Sequence, residues 1–454
     1  MMNRMASVAV AVALVLSAGV SHAAVTAQEA EQLKTTLTPL GAEKAGNKEG
    51  TIPAWTGGYT TVDPSWKPGQ LRPDPFAGEK PRLTITAKNM DEYKDKLTDG
   101  EMALLKKYPD FRMDVYPTHR TSAAPQWVYD NTYKNATRAK TTDNGYGVEG
   151  AYGGIPFPIP KDGYEVIWNH RLAWQGGAVH YYLQTYVVTA DGNRALASAG
   201  RETLAWPYYR KDGSLETFEG YYQKGTFVAD NPPYKTGEAI LANEPIDYTK
   251  QSRQIYQYLV GQRRVRKAPS VAYDTPDFVT SGIGYFDEAF GLFGPIDHHA
   301  LTLVGKMEKF IPYNENGAAL VSVDELVKPK FLNPDHIRWE LHRVWVVQAD
   351  LKPGKRHVVP KRIYYIDEDN WEIALLDGWD AHGDLWRTGY NLGVLCPDGP
   401  GYIAPVMWGE YNLQTGAYFI NSMLNGSSDA YTIEPDGIPD TQFTPAAIAN
   451  TGAR

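Results

Sequence analysis

Residues 181–203 have the sequence YYLQTYVVTADGNRALASAGRET, in which two runs of alternating character flank Asp191-Gly192. Tyr, Val and Thr favour strands, and Asp-Gly between two such runs is a typical signal for a tight hairpin. Similar short runs recur as far as residue 423. The segment therefore predicts a chain that folds mainly as antiparallel β-sheet.

The predicted sheet begins soon after residue 160, where residues 164–168 (YEVIW) lead into the first strand. Further strands are predicted at 220–228, 254–265, 301–311, 342–351, 361–366, 371–376, 385–392, 406–413 and 418–423. The βαβ rhythm of nucleotide-binding folds does not occur. Strands so closely spaced favour one large curved antiparallel sheet or a half-open β-barrel, with a few covering helices.

The N-terminus has the features of a secretory signal peptide. Arg4 precedes an apolar run at 6–15, and small residues flank a cleavage position after Ala23. The apolar run is too short for a membrane span, which takes about 20 residues. We therefore expect a protein exported to the periplasm. The predicted organisation is signal peptide 1–23, N-terminal helices and extended Gly/Pro-rich arm 24–150, curved β-domain 151–434 and loosely ordered tail 435–454.

Two helical regions are predicted before the sheet. Thr26 can cap a helix over 26–37, since Glu29 lies three residues further on. A second helical region covers 89–108, with an interruption near Asp99-Gly100. Between them, residues 46–81 are rich in Gly and Pro, which predicts an extended arm over the surface of the body.

Composition excludes several classes of protein. The 454 residues carry a formal net charge of −8, which argues against broad nucleic-acid binding. A single cysteine, Cys396, excludes a disulfide scaffold, a thiolate zinc site and an iron–sulfur protein. Its apolar neighbours predict a buried thiol. The 30 Tyr and 12 Trp outnumber the 13 Phe, so many aromatic rings carry a polar atom.

Catalytic signatures are missing from the sequence, so we expect neither an enzyme nor a bound cofactor or metal. There is no G-x-S-x-G elbow, phosphate-binding loop or H-E-x-x-H motif. Asp297-His298-His299 resembles part of a metal site, but adjacent histidines in a strand point to opposite faces. Asp367-Glu368-Asp369 resembles a cation site, but an acidic run at a hairpin tip is usually a solvated turn.

A basic segment follows the aromatic residues of the strand predicted at 254–265. One interpretation is a sheet edge that charge protects against pairing with other strands. The functional interpretation is a docking site for an acidic partner or a lipid headgroup. Its docking candidates are Arg263, Arg264, Arg266 and Lys267.

Eight motifs in this order resemble the domain-of-unknown-function family 1329. They are LTPLGAE (37–43), GTIPAWTGG (50–58), VYPTHR (115–120), GGIPFPIP (153–160), IWNH (167–170), QRRVR (262–266), RVWVV (343–347) and KRIYY (361–365). The family is similar to outer-membrane lipoprotein-sorting carriers of the LolA/LolB type. That resemblance implies a half-open antiparallel barrel around an apolar cavity, and partners such as a transporter of the resistance–nodulation–division (RND) class or an outer-membrane protein.

The leading hypothesis is a periplasmic carrier or accessory protein that shields a hydrophobic, lipid-like ligand inside the curved sheet. Trp and Tyr can line such a cavity while their polar atoms reach partners at its mouth. The alternating pattern of the predicted strands gives six candidates for residues that line the cavity: Trp168, Tyr182, Tyr186, Tyr258, Trp345 and Tyr365. The alternatives are a secreted carbohydrate-binding protein or glycan-active enzyme, and a transporter scaffold without ligand. An outer-membrane barrel is disfavoured because charges interrupt the short strands.

Overall fold

The structure, a computed structural model, describes residues 24–268, 273–399, 401–435 and 437–452. The predicted signal peptide lies outside the described residues. The strands of the described ranges are β1 (Leu83–Ile85), β2 (Met113–Val115), β3 (Lys140–Thr141), β4 (Val148–Glu149), β5 (Ala178–Val188), β6 (Arg194–Ala205), β7 (Tyr221–Asn231), β8 (Ala239–Pro245), β9 (Gln254–Leu259), β10 (Arg264–Lys267), β11 (His299–Pro312), β12 (Trp339–Leu351), β13 (Lys361–Asp367), β14 (Ile373–Trp379), β15 (Leu385–Asn391), β16 (Val394–Cys396), β17 (Tyr402–Ala404), β18 (Trp408–Asn412), β19 (Tyr418–Met423) and β20 (Thr432–Ile433).

The helices are short. The α-helices of the described ranges are α1 (Ala27–Ala30), α2 (Asp99–Lys107), α3 (Gln126–Arg138), α4 (Gly163–Arg171), α5 (Asn316–Leu320), α6 (Val323–Leu326) and α7 (Pro445–Gly452). The 3-10 helices are Glu31–Lys34, Met90–Lys96, Asp143–Gly145, Pro207–Tyr209, Pro233–Lys235, Val260–Gln262, Phe286–Gly291, Pro334–His336 and Asp440–Gln442. Among these described helices, none combines the length and the apolar character that a membrane crossing requires.

Sixteen strands form one sheet. Its order is β1-β2-β12-β13-β14-β15-β18-β19-β5-β6-β7-β8-β9-β10, with β11 also paired to β12 and β20 to β5. The pairs are antiparallel except for a parallel contact between β2 and β12. Register shifts within several pairs bend the strands, as bulges do. The described sheet does not close into a barrel, and the prediction of a mainly β chain with one large sheet is confirmed.

The predicted hairpin at 181–203 is confirmed as β5 and β6, which pair from Ala178–Ala205 to Val188–Arg194. The prediction that alternating β-structure begins at 164–168 is wrong, because these residues lie in α4, where the Asp162 side chain accepts from the Glu165 N–H at the helix start. Nearly every residue of α4 is buried, including the polar Glu165, Asn169, His170 and Arg171, so polar residue types do not mark an exposed face of the helix.

The single strand expected at 254–265 is also wrong. The chain turns after β9 through the 3-10 helix Val260–Gln262, and Arg263 adopts a left-handed conformation with φ of 48°. β10 then returns antiparallel to β9, so that Arg264 lies opposite Leu259. The basic residues therefore form the turn and the edge strand of a hairpin.

The segments outside the predicted β-domain pack closely on the sheet. Thr26 and Glu29 form the predicted capping box of α1. β1 and β2, from the N-terminal region, join the sheet beside β12. In the tail, Phe443 and Ile448 are buried with Leu241 and Tyr258 against the face of the sheet that α7 covers. Cys396 is buried, as its apolar neighbours predict.

The prediction of a solvated turn at Asp367-Glu368-Asp369 is wrong, since all three residues are almost completely buried. Arg120 donates to both carboxylate oxygens of Asp369, at 2.6 and 2.8 Å. Arg343 donates to Glu368 at 2.6 Å. The two arginines also donate to the carbonyl of Glu43, so the turn holds the N-terminal arm against the sheet.

His342 completes this buried ion network. Its Nε2 lies 3.2 Å from Glu340, and its Nδ1 lies 3.3 Å from Asp367. Burial alone would lower the pKa of His342, but these two carboxylates outweigh it and raise the pKa to about 9. The ligand atoms of His342, Asp367 and Asp369 lie within 4.8 Å of one another. An imidazolium and Arg120 already neutralise these acids, which makes the cluster an ion network.

Replacing Arg120 should destabilise the fold strongly. Arg120→Met leaves the buried Asp369 without its main partner, and loss of one partner of a buried pair costs about 3–5 kcal/mol. Urea unfolding measures the loss. Lys34→Met is the matched control, because Lys34 and Glu31 are each 54% exposed and such pairs contribute about 0–1 kcal/mol. Equal losses in the two variants would contradict the account of the network.

Candidate ligand-binding cavity

Strands β5 to β8 present one apolar face, here called the inner face. Successive side chains of a strand point to opposite sides. Tyr181 and Leu183 of β5 are buried on the inner face, and Tyr182 lies half-buried on the opposite, outer face. Glu202 and Leu204 of β6 lie on the inner face, since Tyr181 pairs with Glu202 across the two strands. On β5 and β6 the inner face thus combines apolar side chains with the carboxyl group of Glu202.

Residues 273–293, here called the cover segment, lie over the inner face. The segment contains the 3-10 helix Phe286–Gly291, which Ala289 and Phe290 break; Phe290 has a φ of 54°. An isolated bridge between Pro276 and Tyr285 closes the preceding loop. The cover therefore has little regular structure and meets the sheet through its side chains.

A cavity of about 110 Å³ separates the cover segment from the inner face. From the sheet it is lined by Leu183, Glu202, Leu204, Phe227, Ile240 and Ala242. From the cover it is lined by Asp277, Val279, Phe286, Ala289, Phe290 and Phe293. The lining is mainly aliphatic and aromatic, as is usual for sites that bind small apolar molecules.

Buried ion pairs hold one part of the cover segment on the sheet. Asp287 accepts from Arg362 at 2.7 Å and from His357 at 2.9 Å. Burial would raise the pKa of Asp287, but Arg362 and His357 outweigh it and hold the pKa far below its usual range. The neighbouring Glu288 accepts from Arg387 at 2.9 Å. The helix Phe286–Gly291 is therefore fixed over β13 and β15.

Two carboxyl groups line the mainly apolar cavity. Glu202 accepts a hydrogen bond from the Tyr181 hydroxyl. Burial, together with the charge of Asp277, raises the pKa of Glu202 to about 7, although the hydrogen bond from Tyr181 acts against the shift. Burial also raises the pKa of Asp277 to about 6, although Lys235 acts against the shift. Both groups therefore titrate near neutral pH, which is unusual for carboxyls and typical of functional sites.

Three of the aromatic cavity candidates lie on the outer face of the sheet. The Tyr182 hydroxyl donates to Asp230, and the Tyr186 hydroxyl donates to Gln184 on the same face. Tyr258 packs in the cluster that α7 covers. Tyr occurs at both inner and outer positions of β5, so the residue types alone do not show which face is covered.

The other three aromatic candidates lie in the core. Trp168 of α4 is fully buried and donates from its indole to the Gly145 carbonyl at 2.9 Å. Trp345 stacks on Trp371 with ring centroids 6.0 Å apart. The Tyr365 hydroxyl lies 3.5 Å from Asp377. The described residues that line the cavity include none of the six candidates. Alternation within 181–203 indicates two sets of positions, and the set that contains Leu183 and Glu202 is the one that faces the cavity.

The basic candidates form an exposed group on the β9–β10 hairpin. Arg263, Arg264, Arg266 and Lys267 are all exposed. Within the described part of the chain, none of the four makes an ion pair. Val265 between them packs toward α7, so the hairpin is held in place while its cations face outward.

A groove and a second, smaller cavity are less suited to an apolar ligand. A groove of about 230 Å³ beside Tyr152 is lined by charged residues, of which Arg210 and Lys224 both pair with Asp440. A space of about 30 Å³ near Leu104 and Tyr411 is too small for more than one or two water-sized groups. The cavity under the cover segment combines a mainly apolar lining with two carboxyl groups, and it has more room than the space near Leu104.

Glu202→Gln should stabilise the protein at high pH. Folding raises the pKa of Glu202, so the native state loses stability relative to the unfolded state as pH rises from about 4.5 to about 7. Glutamine cannot ionise, and it still accepts a hydrogen bond from Tyr181. We expect a gain of about 2 kcal/mol at pH 8 that shrinks toward zero near pH 4.5, measured by urea unfolding.

The matched control is Glu49→Gln, because Glu49 is exposed on the arm. Its free energy of unfolding should differ from that of the unaltered protein by less than about 0.5 kcal/mol at either pH. A Glu202→Gln variant that is less stable than the unaltered protein at pH 8 would contradict the description of this carboxyl.

The chain is 38% identical over 454 residues to an uncharacterized protein of Pseudomonas aeruginosa strain PAO1, with 97% of each protein covered. Among solved structures, it is similar to a putative outer membrane lipoprotein-sorting protein domain from Vibrio parahaemolyticus (15% identity, TM-score 0.43, 63% of this chain and 97% of that one). It is also similar to a LolA superfamily protein from Nitrosomonas europaea (10% identity, TM-score 0.36, 63% of this chain and 98% of that one). Residues 84–449 match the family described as "Protein of unknown function (DUF1329)". The chain belongs to the DUF1329 family.

Proposed function

We propose that the protein is a periplasmic binding protein that carries a hydrophobic, lipid-like ligand in the cavity under the cover segment. The observation that supports this most directly is the lining itself, where phenylalanines of the cover face aliphatic side chains of the inner face. Burial of apolar ligand surface there is favourable by about 25 cal/mol per Å². We infer a binding role, and not catalysis, from this mainly apolar lining.

Binding of an acyl chain requires the cavity to grow. Its volume of about 110 Å³ is well below the range of about 300–1,000 Å³ that ligand pockets usually have. The ion pairs of Asp287 and Glu288 fix the helix of the cover segment. The preceding loop, 276–285, has no ion pair among the described residues; hydrogen bonds from Lys235 to the Phe278 carbonyl and from Arg387 to the Ile283 carbonyl hold it. We propose that this loop moves outward when ligand enters.

The compartment and the partners belong to the same proposal. A cleavable signal peptide at residues 1–23 would deliver the protein to the periplasm. An RND-type transporter and an outer-membrane protein are the partners that the sequence resemblance implies. The exposed cations of the β9–β10 hairpin would dock the carrier on an acidic surface of such a partner or on lipid headgroups.

Adjacent residues of β5 provide a test of the cavity. Leu183→Trp places a larger side chain in the cavity, whereas Tyr182→Trp changes the outer face. We expect the first variant to lose at least about tenfold in affinity for a fluorescent fatty-acid analogue, and the second to change it less than about twofold. Circular dichroism checks that both variants fold. The proposal is wrong if Tyr182→Trp impairs binding and Leu183→Trp does not.

Co-purification tests the carrier role without a chosen probe. We expect organic extraction of the protein from periplasm, followed by mass spectrometry, to release an acyl-chain lipid in stoichiometric amount. The amount should fall in Leu183→Trp and persist in Tyr182→Trp. Protein that contains no lipid and binds no fatty-acid analogue would overturn the carrier proposal.

Charge reversal tests the docking hairpin. We expect Arg264→Glu with Arg266→Glu to reduce flotation of the protein with vesicles that contain 30% phosphatidylglycerol by about tenfold or more, since each basic residue near an anionic surface contributes about 1 kcal/mol. Binding to vesicles without anionic lipid should be weak for both proteins. The matched control is Lys211→Glu with Lys250→Glu, two exposed lysines outside the hairpin. Equal losses in both double variants would contradict docking through the hairpin.

A further inference from the structure

We propose that the cavity recognises its ligand by a cationic, hydrogen-bond-donating head group, and that it selects amphiphiles with a primary amine over those with a carboxylate. The inference rests on the proposed function, since it assigns the head group of the molecule that the cavity would carry. It follows from the sign and position of the charges that line the cavity.

The ionisable side chains among the described lining residues are acidic. Glu202 enters from β6 on the inner face, and Asp277 enters from the cover segment on the opposite side. The described lining contains no Lys, Arg or His to neutralise them. The remaining lining polar groups, such as Asn421 and Ser422, are uncharged. A head group that binds between sheet and cover therefore meets two carboxyls.

The two carboxyls keep capacity to accept hydrogen bonds. The Tyr181 hydroxyl donates to Oε2 of Glu202, and the Val279 N–H donates to Oδ1 of Asp277 at 2.9 Å. A carboxylate offers about four acceptor positions on its two oxygens. Lys235 does not bridge to Asp277; its ammonium donates to the carbonyls of Ala197 and Phe278, at 2.7 and 2.8 Å.

An ammonium group matches this end of the cavity. Charge-assisted hydrogen bonds from a cation to a carboxylate are roughly twice as strong as neutral ones. A ligand carboxylate would instead add a third acid where two already repel each other. An alcohol can donate one hydrogen bond without charge, so its affinity should lie between those of the amine and the carboxylate.

Protonation of the pair sets the expected pH dependence. The charged or titratable groups that act on Glu202 are Tyr181 of β5 and Asp277 of the cover segment. Lys235, at the start of the turn before β8, acts on Asp277. Both carboxyls gain protons as pH falls from about 8 to about 5, while an alkyl amine stays charged. Amine affinity should therefore decrease in that interval.

The test compares three ligands with the same ten-carbon chain: decylamine, 1-decanol and decanoate. Isothermal titration calorimetry of the exported, delipidated protein at pH 8, below the micellar range, measures each affinity. We expect decylamine to bind at least about tenfold more tightly than decanoate, with 1-decanol between them. Between pH 8 and pH 5 the affinity for decylamine should fall about tenfold or more.

Removing the charges should remove the preference. In Glu202→Gln with Asp277→Asn we expect the ratio of decylamine to decanoate affinity to fall below about threefold, while 1-decanol binds within about threefold of its original affinity. Glu49→Gln should leave all three affinities unchanged. If the double variant unfolds, Glu202→Gln alone must lower the ratio at least about threefold.

The possible failures are distinguishable. Decanoate that binds as tightly as decylamine, or an unchanged ratio in the variants, would overturn the head-group assignment and leave the carrier proposal standing. Failure of all three ligands and of the fatty-acid analogue to bind would overturn both.

Discussion

The buried ion pairs between the cover segment and the sheet are the constraint on which the cavity depends. Asp287 and Glu288 meet Arg362 and Arg387 where none of the four charges reaches water. Removing one partner would leave an uncompensated buried charge, at a cost of about 3–5 kcal/mol. These pairs therefore fix the helix of the cover over β13 and β15. Because this helix is fixed, its residues Phe286, Ala289 and Phe290 cover the inner face of β5 to β8.

Buried ion pairs also attach a segment at the opposite end of β13 from Arg362. The turn at 367–369 binds Arg120 and Arg343, and through them the carbonyl of Glu43 in the N-terminal arm. Both networks attach a segment without regular structure to an ordered strand. Glu202 and Asp277 differ from these paired acids, because the described lining gives them no cationic side chain. Unpaired acids that reduce stability in a cavity are typical of sites kept for function.

Much of the fold could be predicted from the sequence, because the hairpin at 181–203 and most later strands alternate and end at turn residues. The helix α4 could not, since its residues are buried on nearly all sides and leave no period. The sequence predicts an apolar cavity in the sheet but does not identify the residues that line it. Alternation marks two faces of β5 but not which one is covered, and Tyr182 lies on the face opposite the cavity under the cover segment. The cover is fixed by pairs 75 and 99 residues apart, which no local pattern indicates.

Binding of the ligand under the cover segment is tested most directly by photo-crosslinking with an alkyl amine that carries a diazirine in its chain, followed by peptide mass mapping. Binding in this cavity predicts labels on the strand peptides that contain Leu183, Leu204 and Phe227, and on the cover peptide that contains Phe286 and Phe290. Excess decylamine should abolish these labels. Labels confined to the groove beside Tyr152, or to residues of the outer face such as Tyr182 and Tyr186, would contradict it.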